Sequence, residues 1–321
     1  MPHYFNTECF LNGYLEVSTD ASIYYELSGN RRGTPVLFLH GGPGAGLPQN
    51  YQRFFDPEHW MVIGFDQRGC GRSTPLPSLS DNTTQKQLED IETLRHKLGI
   101  EKWVVFGGSW GATLGLLYAI AYPQRVQHLV LRGVFLGRRV DTHWFLDPQG
   151  GAAQLYPDAY RDFIADIGSD TLTPNTILQT YYNHFQADGE EKANAVKRWC
   201  HWEEVLSQIV NAPVSVSRPT LSNPPCKAMH DIATLECHYL VNQNFIPNDF
   251  ILDNTSQLAT IPGDIIHGRF DAVCSVDAAY SLHEKWAKSK LNIVPNAGHS
   301  LSEPGIGKAL LNALTELINR K

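Results

Sequence analysis

Between Val104 and Gly115 an apolar, β-forming run breaks at a glycine-flanked serine and resumes as a helix-forming segment. The pattern Gly107-x-Ser109-x-Gly111 predicts a sharp strand-to-helix turn, with the serine in a strained backbone conformation and only hydrogen side chains fitting on either side. Such a nucleophile elbow stands Ser109 Oγ above the end of a sheet. A serine in a plain tight turn is the simpler alternative, and the β-run before it and the helix after it weigh against that. A lone serine is a poor nucleophile, so the reading requires a base and a group that orients the base.

The flanking sequence predicts the sheet. Residues 14 to 27 alternate through Tyr14, Glu16 and Ser18, then Ile23, Tyr25 and Leu27, which reads as a β-hairpin turning near Asp20-Ala21. Two unalternating apolar runs follow, Val36 to Leu39 and Met61 to Phe65, as expected of central parallel strands. Asn82-Thr83-Thr84 reads as a helix N-cap region, and Glu89, Ile91 and Leu94 carry that helix toward Gly99. The elbow strand and Leu129-Val130-Leu131 complete a rhythm of strand and helix, the signature of a mostly parallel, doubly wound α/β sheet.

After Gly133 the rhythm stops. From Phe135 to Leu258 the chain is rich in Trp and Tyr at helical spacing, and it carries a proline-rich stretch around Pro219, Pro224 and Pro225. This segment reads as a helical cap, residues 135–258, inserted between the two parts of one core, residues 1–134 and 259–321. The core resumes at Gly263 to Asp271, continues through Leu291 to His299, and closes with a helix from about Gly305 to Asn319.

Composition narrows the function classes. With 33 acidic against 26 basic residues the formal charge is −7, which argues against a nucleic-acid partner. The most apolar segment, Leu114 to Tyr122, falls well short of the ~20 residues a membrane span needs. Cys9, Cys70, Cys200, Cys226, Cys237 and Cys274 show no paired C-x-x-C spacing, so reduced thiols, a cytoplasmic location and no zinc site are expected. Met1 to Val17 has no basic stretch ahead of an apolar block and reads as no secretory signal.

The missing partners of the serine lie in the returning core. Asp271 ends one predicted strand and His299 follows the next, giving the order Ser, Asp, His of an α/β-hydrolase. In that arrangement His299 takes the Ser109 proton and Asp271 fixes the imidazole tautomer. Asp264 and Asp277 compete for the acid role, but Asp264 stands at a strand start, at the wrong edge of the sheet. Two backbone donors are needed where negative charge develops, and the amides of Trp110 and Gly42 fit the two expected positions. The run Gly41 to Gly46 is no dinucleotide loop: Leu47 stands where a third glycine is required, and Pro43 lacks an N–H.

Together, His40-Gly41-Gly42-Pro43-Gly44, Asp66 to Ser73 (DQRGCGRS), Gly107-Gly108-Ser109-Trp110-Gly111, Leu131 to Phe135 (LRGVF), His267 to Asp271 (HGRFD) and Gly298-His299-Ser300 resemble the proline iminopeptidase (prolyl aminopeptidase) family of α/β-hydrolases. The resemblance spans nearly the whole chain. It implies a serine aminopeptidase that releases an unblocked N-terminal residue, typically proline, from peptides through an acyl-enzyme, with no metal or cofactor. It also implies Ser109, Asp271 and His299 as the triad, and a structural role for the Asp66 to Ser73 loop. An esterase or amidase acting on small neutral substrates and a catalytically silent binding protein are the two alternatives, and the intact triad speaks against the second.

An aminopeptidase must hold a cationic amine in a semi-enclosed pocket, which calls for carboxylates. Trp199, Glu203, Leu206 and Val210 share one helical face, and Met229, Ala233, Glu236 and Leu240 share another, each with one glutamate where an apolar residue is expected. The bland reading, a stripe-edge glutamate snorkelling to water, stays open on spacing alone. The family's amine-binding glutamates occur in a Trp-Glu pair and before a His-Tyr pair, which implies Glu203 after Trp202 and Glu236 before Cys237-His238-Tyr239; Glu204 is the weaker candidate. By the same resemblance Phe135 and Phe145 belong to an aromatic proline pocket, Phe145 in place of a tyrosine. Leu240 stands where a phenylalanine is usual, which extends the expected range to other small apolar N-terminal residues. Cys274, close in sequence to Asp271, is expected near the triad, where bulky thiol reagents would obstruct.

Overall fold

The computed structural model describes residues 7–76, 78–168, 172–209 and 224–319. Met1 to Asn6, Val210 of the first glutamate stripe and Pro219 of the proline-rich stretch lie outside these. Among the described residues an eight-stranded sheet forms from β1 (Cys9–Ser18), β2 (Ala21–Gly29), β3 (Thr34–Leu39), β4 (Trp60–Phe65), β5 (Trp103–Gly108), β6 (Val126–Arg132), β7 (Gly263–Gly268) and β8 (Ser289–Val294), in the order β1-β2-β4-β3-β5-β6-β7-β8. β1 and β2 join antiparallel to each other, and β2 joins β4 antiparallel; the remaining pairs are parallel. The predicted hairpin is this antiparallel edge, with Tyr14 opposite Tyr24 and Leu15 opposite Ile23.

The helices are α1 (Thr84–Lys97), α2 (Trp110–Ala121), α3 (Arg139–Leu146), α4 (Gly151–Leu155), α5 (Pro157–Phe163), α6 (Pro174–Gln186), α7 (Gly189–Ser207), α8 (Lys227–Val241), α9 (Phe250–Asp253), α10 (Val276–Lys285) and α11 (Pro304–Asn319). Thr83 caps α1 by accepting a hydrogen bond from the Lys86 amide at 3.3 Å, one of the first N–H groups a helix leaves without an internal acceptor. None of the helices among the described residues is long and apolar enough to cross a membrane.

Every residue of β5 is buried, because helices cover both faces of the sheet at its centre. Leu37, Val105, Leu114, Leu129 and Ile265 pack on one side; Val36, Phe38, Phe106, Val130 and Ile306 pack on the other. A separate core belongs to the insertion, where Phe163 stacks on Tyr181 (centroids 4.8 Å apart) and on Trp202 (5.5 Å), with Trp199 edge-on to both Phe163 and Tyr181. Leu136 at the start of the insertion and Ile251, Leu252 and Leu258 at its end pack into the sheet's core instead, so both ends are anchored on the sheet. Polar contacts tie cap to core as well: Thr84 Oγ1 donates to the Asn244 carbonyl, and Gln87 Nε2 to Tyr239 Oη at 3.0 Å. The Asp66 to Ser73 loop carries an ionic network, buried where Asp90 holds Arg68 (2.5 and 2.8 Å) and reaching the surface where buried Asp66 holds the exposed Arg72 (2.8 Å).

Candidate active site

β5 ends at Gly108 and α2 begins at Trp110, so Ser109 occupies the turn alone, at φ 57° and ψ −125°. A non-glycine residue held there stores on the order of 1–3 kcal/mol of strain and persists only when its surroundings over-determine it. Here they do. A Cβ on Gly107 would collide with the Gly111 carbonyl, and the Ser109 amide is tied to the Arg132 carbonyl at 2.9 Å.

The glycine loop after β3 lies against this turn; a Cβ added to Gly41 would sit 3.5 Å from Ser109 Cβ. Gly42 adopts φ +101°, open to glycine and strained for any other residue. The loop is pinned from below: the Gln67 amide donates to His40 Nε2 (3.0 Å), Gln67 Nε2 donates to the His40 carbonyl (3.0 Å), and Trp110 Nε1 donates to Gln67 Oε1 (3.1 Å). Because the Gln67 amide is only a donor, His40 Nε2 is the acceptor, and Nδ1–H donates to the Gly41 carbonyl at 2.9 Å. Burial pushes the His40 pKa down and keeps the ring in that neutral form. The Trp110 amide opens α2 and has no acceptor within its own helix.

Asp271 and His299 meet across the ends of β7 and β8: His299 Nδ1–H donates to Asp271 Oδ2 at 2.7 Å. Asp271 Oδ1 accepts the amides of Val273 (3.0 Å) and Cys274 (2.8 Å). Burial pulls the Asp271 pKa upward, but the His299 and His267 rings and the amides outweigh it and leave the acid below its ordinary value. Arg132 links the three segments: its carbonyl holds the Ser109 amide, and its Nη1 donates to the His299 carbonyl at 2.9 Å. Among the described residues no hydrogen bond joins Ser109 Oγ to the His299 ring. Nucleophile and base are often looser before substrate binds.

Ser109, Gly42 and Pro43 line a half-open cavity whose other walls are Phe135, Asp141, Thr142, Phe145, Glu203, Glu236, Leu240, Asn244, Val273 and Cys274. The two glutamates come from α7 and α8, line the same cavity and are close enough for each to shift the titration of the other. Burial, then the Glu203 charge, drives the Glu236 pKa well above the carboxylate range, against the pull of a 2.7 Å hydrogen bond from Trp199 Nε1. Burial also raises Glu203, with His299 and Glu236 drawing it back.

With this geometry in view, comparison with known proteins places the chain. Residues 34–305 match the alpha/beta hydrolase fold family. The chain is 42% identical to a proline iminopeptidase of Arabidopsis thaliana, over 95% of this chain and 79% of that one, and 40% identical to a proline iminopeptidase of Neisseria gonorrhoeae, over 97% of each. It belongs to the proline iminopeptidase family. A probable proline iminopeptidase of Leptolyngbya boryana, 41% identical over 97% of this chain and 95% of that one, adds to this. Among solved structures, a haloalkane dehalogenase loop variant from Bradyrhizobium elkanii superposes with a TM-score of 0.65 at 19% identity, covering 97% of this chain and 98% of that one, which speaks to fold alone.

Within this proline iminopeptidase fold, the residues expected from the sequence fall on one cavity or directly behind it. The competing acids lie elsewhere: Asp264, early in β7, pairs with His128 at 2.7 Å, and the exposed Asp277 faces Arg138 at 3.3 Å. Glu204 is exposed and lines a neighbouring groove. Cys274 lines the cavity as expected, but its thiol is buried and burial holds it protonated, so obstruction by thiol reagents no longer follows. Sequence reasoning missed Thr142, Asn244, Arg132, His267 and the Trp199 hydrogen bond. Arg132 and His267 stood in the LRGVF and HGRFD motifs without an assigned role, and Asn244 stood among turn formers, where the structure gives it a positive φ.

Proposed function

We propose that this protein is a serine aminopeptidase that releases an unblocked N-terminal residue, preferentially proline, from peptides. The observation that carries the reading is one cavity with Ser109 and the Gly42 loop as one wall and the paired carboxyls of Glu203 and Glu236 as another. Peptidase chemistry needs the first wall; recognition of a free amine accounts for the second, because two carboxylates buried together are costly until a cation joins them. A prolyl N-terminus offers two N–H donors to two acceptors.

In this reading His299 removes the Ser109 proton as Oγ attacks the scissile carbonyl, and Asp271 holds the ring in the Nδ1–H tautomer and stabilises the imidazolium. The amides of Trp110 and Gly42 receive the oxyanion. His299 then protonates the departing amine, and water hydrolyses the prolyl-enzyme by the reverse sequence of proton transfers. Phe135, Phe145 and Leu240 pack against the pyrrolidine ring. The fully unpaired set of cysteines supports a cytoplasmic setting.

The test is a panel of 4-nitroanilides of proline, alanine and leucine, each with a free and an acetylated amine. Fast turnover of the free prolyl amide with loss on acetylation is expected. Equal turnover of free and acetylated substrates would favour the esterase or amidase reading, and no turnover with a folded protein would favour the silent one.

A further inference from the structure

His267, the next-to-last residue of β7, is completely buried and takes no step in the mechanism above, yet it touches the candidate acid. The Val134 amide donates to His267 Nδ1 at 3.1 Å. An amide N–H can only donate, so Nδ1 holds a lone pair and the ring proton is on Nε2. Burial lowers the His267 pKa and favours this neutral ring, with Asp271 opposing. Nε2–H faces two acceptors, the Cys274 carbonyl at 2.9 Å and Asp271 Oδ2 at 3.3 Å.

Asp271 Oδ2 therefore lies between two imidazoles, His299 at 2.7 Å and His267 at 3.3 Å, while Oδ1 takes two backbone amides. That set of donors fixes the rotation of the carboxylate. The same ring also fastens the chain that supports the base. Val134 follows Gly133, where an added Cβ would be 2.8 Å from His299 Cε1, and precedes Phe135 of the cavity wall.

We infer that His267 is a positioning residue: it clamps the Asp271–Cys274 turn, the Gly133–Phe135 segment and Asp271 Oδ2 together, so that the acid presents one fixed lone pair to His299. The inference rests on the Ser109, His299 and Asp271 reading above. His267 does not touch substrate, so its loss lowers the chemical rate and spares binding.

The experiment compares His267→Phe, which keeps ring volume and loses both nitrogens, with His267→Gln, which keeps a donor. On a free prolyl amide, His267→Phe lowers kcat by about 10- to 100-fold with KM within about twofold, as expected for misplacement of a catalytic group. Phosphonylation of Ser109 by a fluorophosphonate slows in the same proportion, and His267→Gln recovers at least half of the loss on a logarithmic scale. In ¹⁵N-labelled wild type, His267 shows unprotonated Nδ1 and protonated Nε2 at neutral pH, and the downfield His299 Nδ1–H resonance is lost in His267→Phe. A folded His267→Phe protein with unchanged kcat and downfield resonance overturns the inference, as does an Nδ1-protonated His267 in wild type. If His267→Phe does not fold, the glutamine variant and the wild-type tautomer decide: kcat of His267→Gln within about tenfold of wild type, with the downfield His299 resonance retained and the expected wild-type tautomer, supports the clamp, and a different tautomer or loss of that resonance in His267→Gln refutes it. Asp271→Asn separates the two levels, since a fully active Asp271→Asn enzyme sinks the triad reading itself, whereas a dead one beside an active His267→Phe sinks only the clamp.

Discussion

Glu203 on α7 and Glu236 on α8 lie together at the wall of the cavity that Ser109 lines, and burial raises the pKa of both, with the Glu203 charge raising Glu236 further. In the proposed reading a substrate ammonium arriving between them favours their charged forms, so amine binding is expected to be coupled to proton release. Calorimetry of a prolyl inhibitor in buffers of different ionisation enthalpy is expected to show net proton release near neutral pH, and none in Glu236→Gln.

The same pair distinguishes an aminopeptidase from a general hydrolase. On the proposed reading, Glu203→Gln and Glu236→Gln are each expected to remove a charge-assisted hydrogen bond worth ~1.5–3 kcal/mol, or roughly ten- to a hundredfold in kcat/KM for a free-amine prolyl amide. A small neutral ester that reaches only Ser109 is expected to be hydrolysed at nearly the wild-type rate. The double variant is expected to lose less than the sum if both carboxyls serve one ammonium. Parallel loss of ester and amide activity would make the glutamates structural.

Stability carries the opposite sign. The raised pKa of Glu236 means that the folded chain keeps a proton where the unfolded chain, with an ordinary carboxyl near ~4.3, has released it. The contribution of this group to stability therefore falls as pH rises above that value. Glu236→Gln, which cannot ionise, is expected to melt above wild type at pH 8, with the gap narrowing toward pH 4. Asp271, with its depressed pKa, contributes stability that is lost as pH falls. Thermal melts across pH measure both.

Ser109→Ala is expected to cut turnover of esters and prolyl amides by about a hundred-thousandfold or more, with the fold intact by circular dichroism. Chelators are expected to leave wild-type activity unchanged, since no step of the proposed mechanism draws on a metal. Activity abolished by a chelator and restored by zinc would contradict the mechanism.

Thiol reagents should act on the surface. Cys9 and Cys226 are exposed, whereas burial holds Cys274 protonated beside Asp271. Titration at neutral pH is expected to consume Cys9 and Cys226 first with activity retained, followed by mass spectrometry of the labelled peptides. Early inactivation tracking Cys274 modification would show that the cavity wall opens.

The elements that were legible in the sequence are those whose cause is local. A turn that tolerates only glycine beside Ser109, an unalternating run such as Val104 to Phe106 that can be covered on both faces, and an N-cap at Thr83 are each decided by neighbours a few positions away. The glutamate stripes were legible as anomalies of period, and the family resemblance supplied their partner. Chain order placed Asp271 and His299 at strand ends, because a parallel sheet brings successive strand ends to one edge.

What required tertiary structure is every relation between elements that the backbone does not order. The β1-β2-β4-β3 order of strands follows from how distant strands pair in the sheet, whereas the meeting of Glu203 with Glu236 and the Trp199 bond to Glu236 arise from how α7 packs on α8. His267 and Arg132 stood in the family motifs with no role of their own, since a buried polar side chain shows its purpose only through its partners, and those partners are Val134, Cys274 and Asp271 for one and His299 for the other. Local sequence determined which residues could form the elbow, the strands and the stripes; packing alone decided which polar atoms face each other, because hydrogen bonds between distant segments depend on three-dimensional separation and not on spacing along the chain.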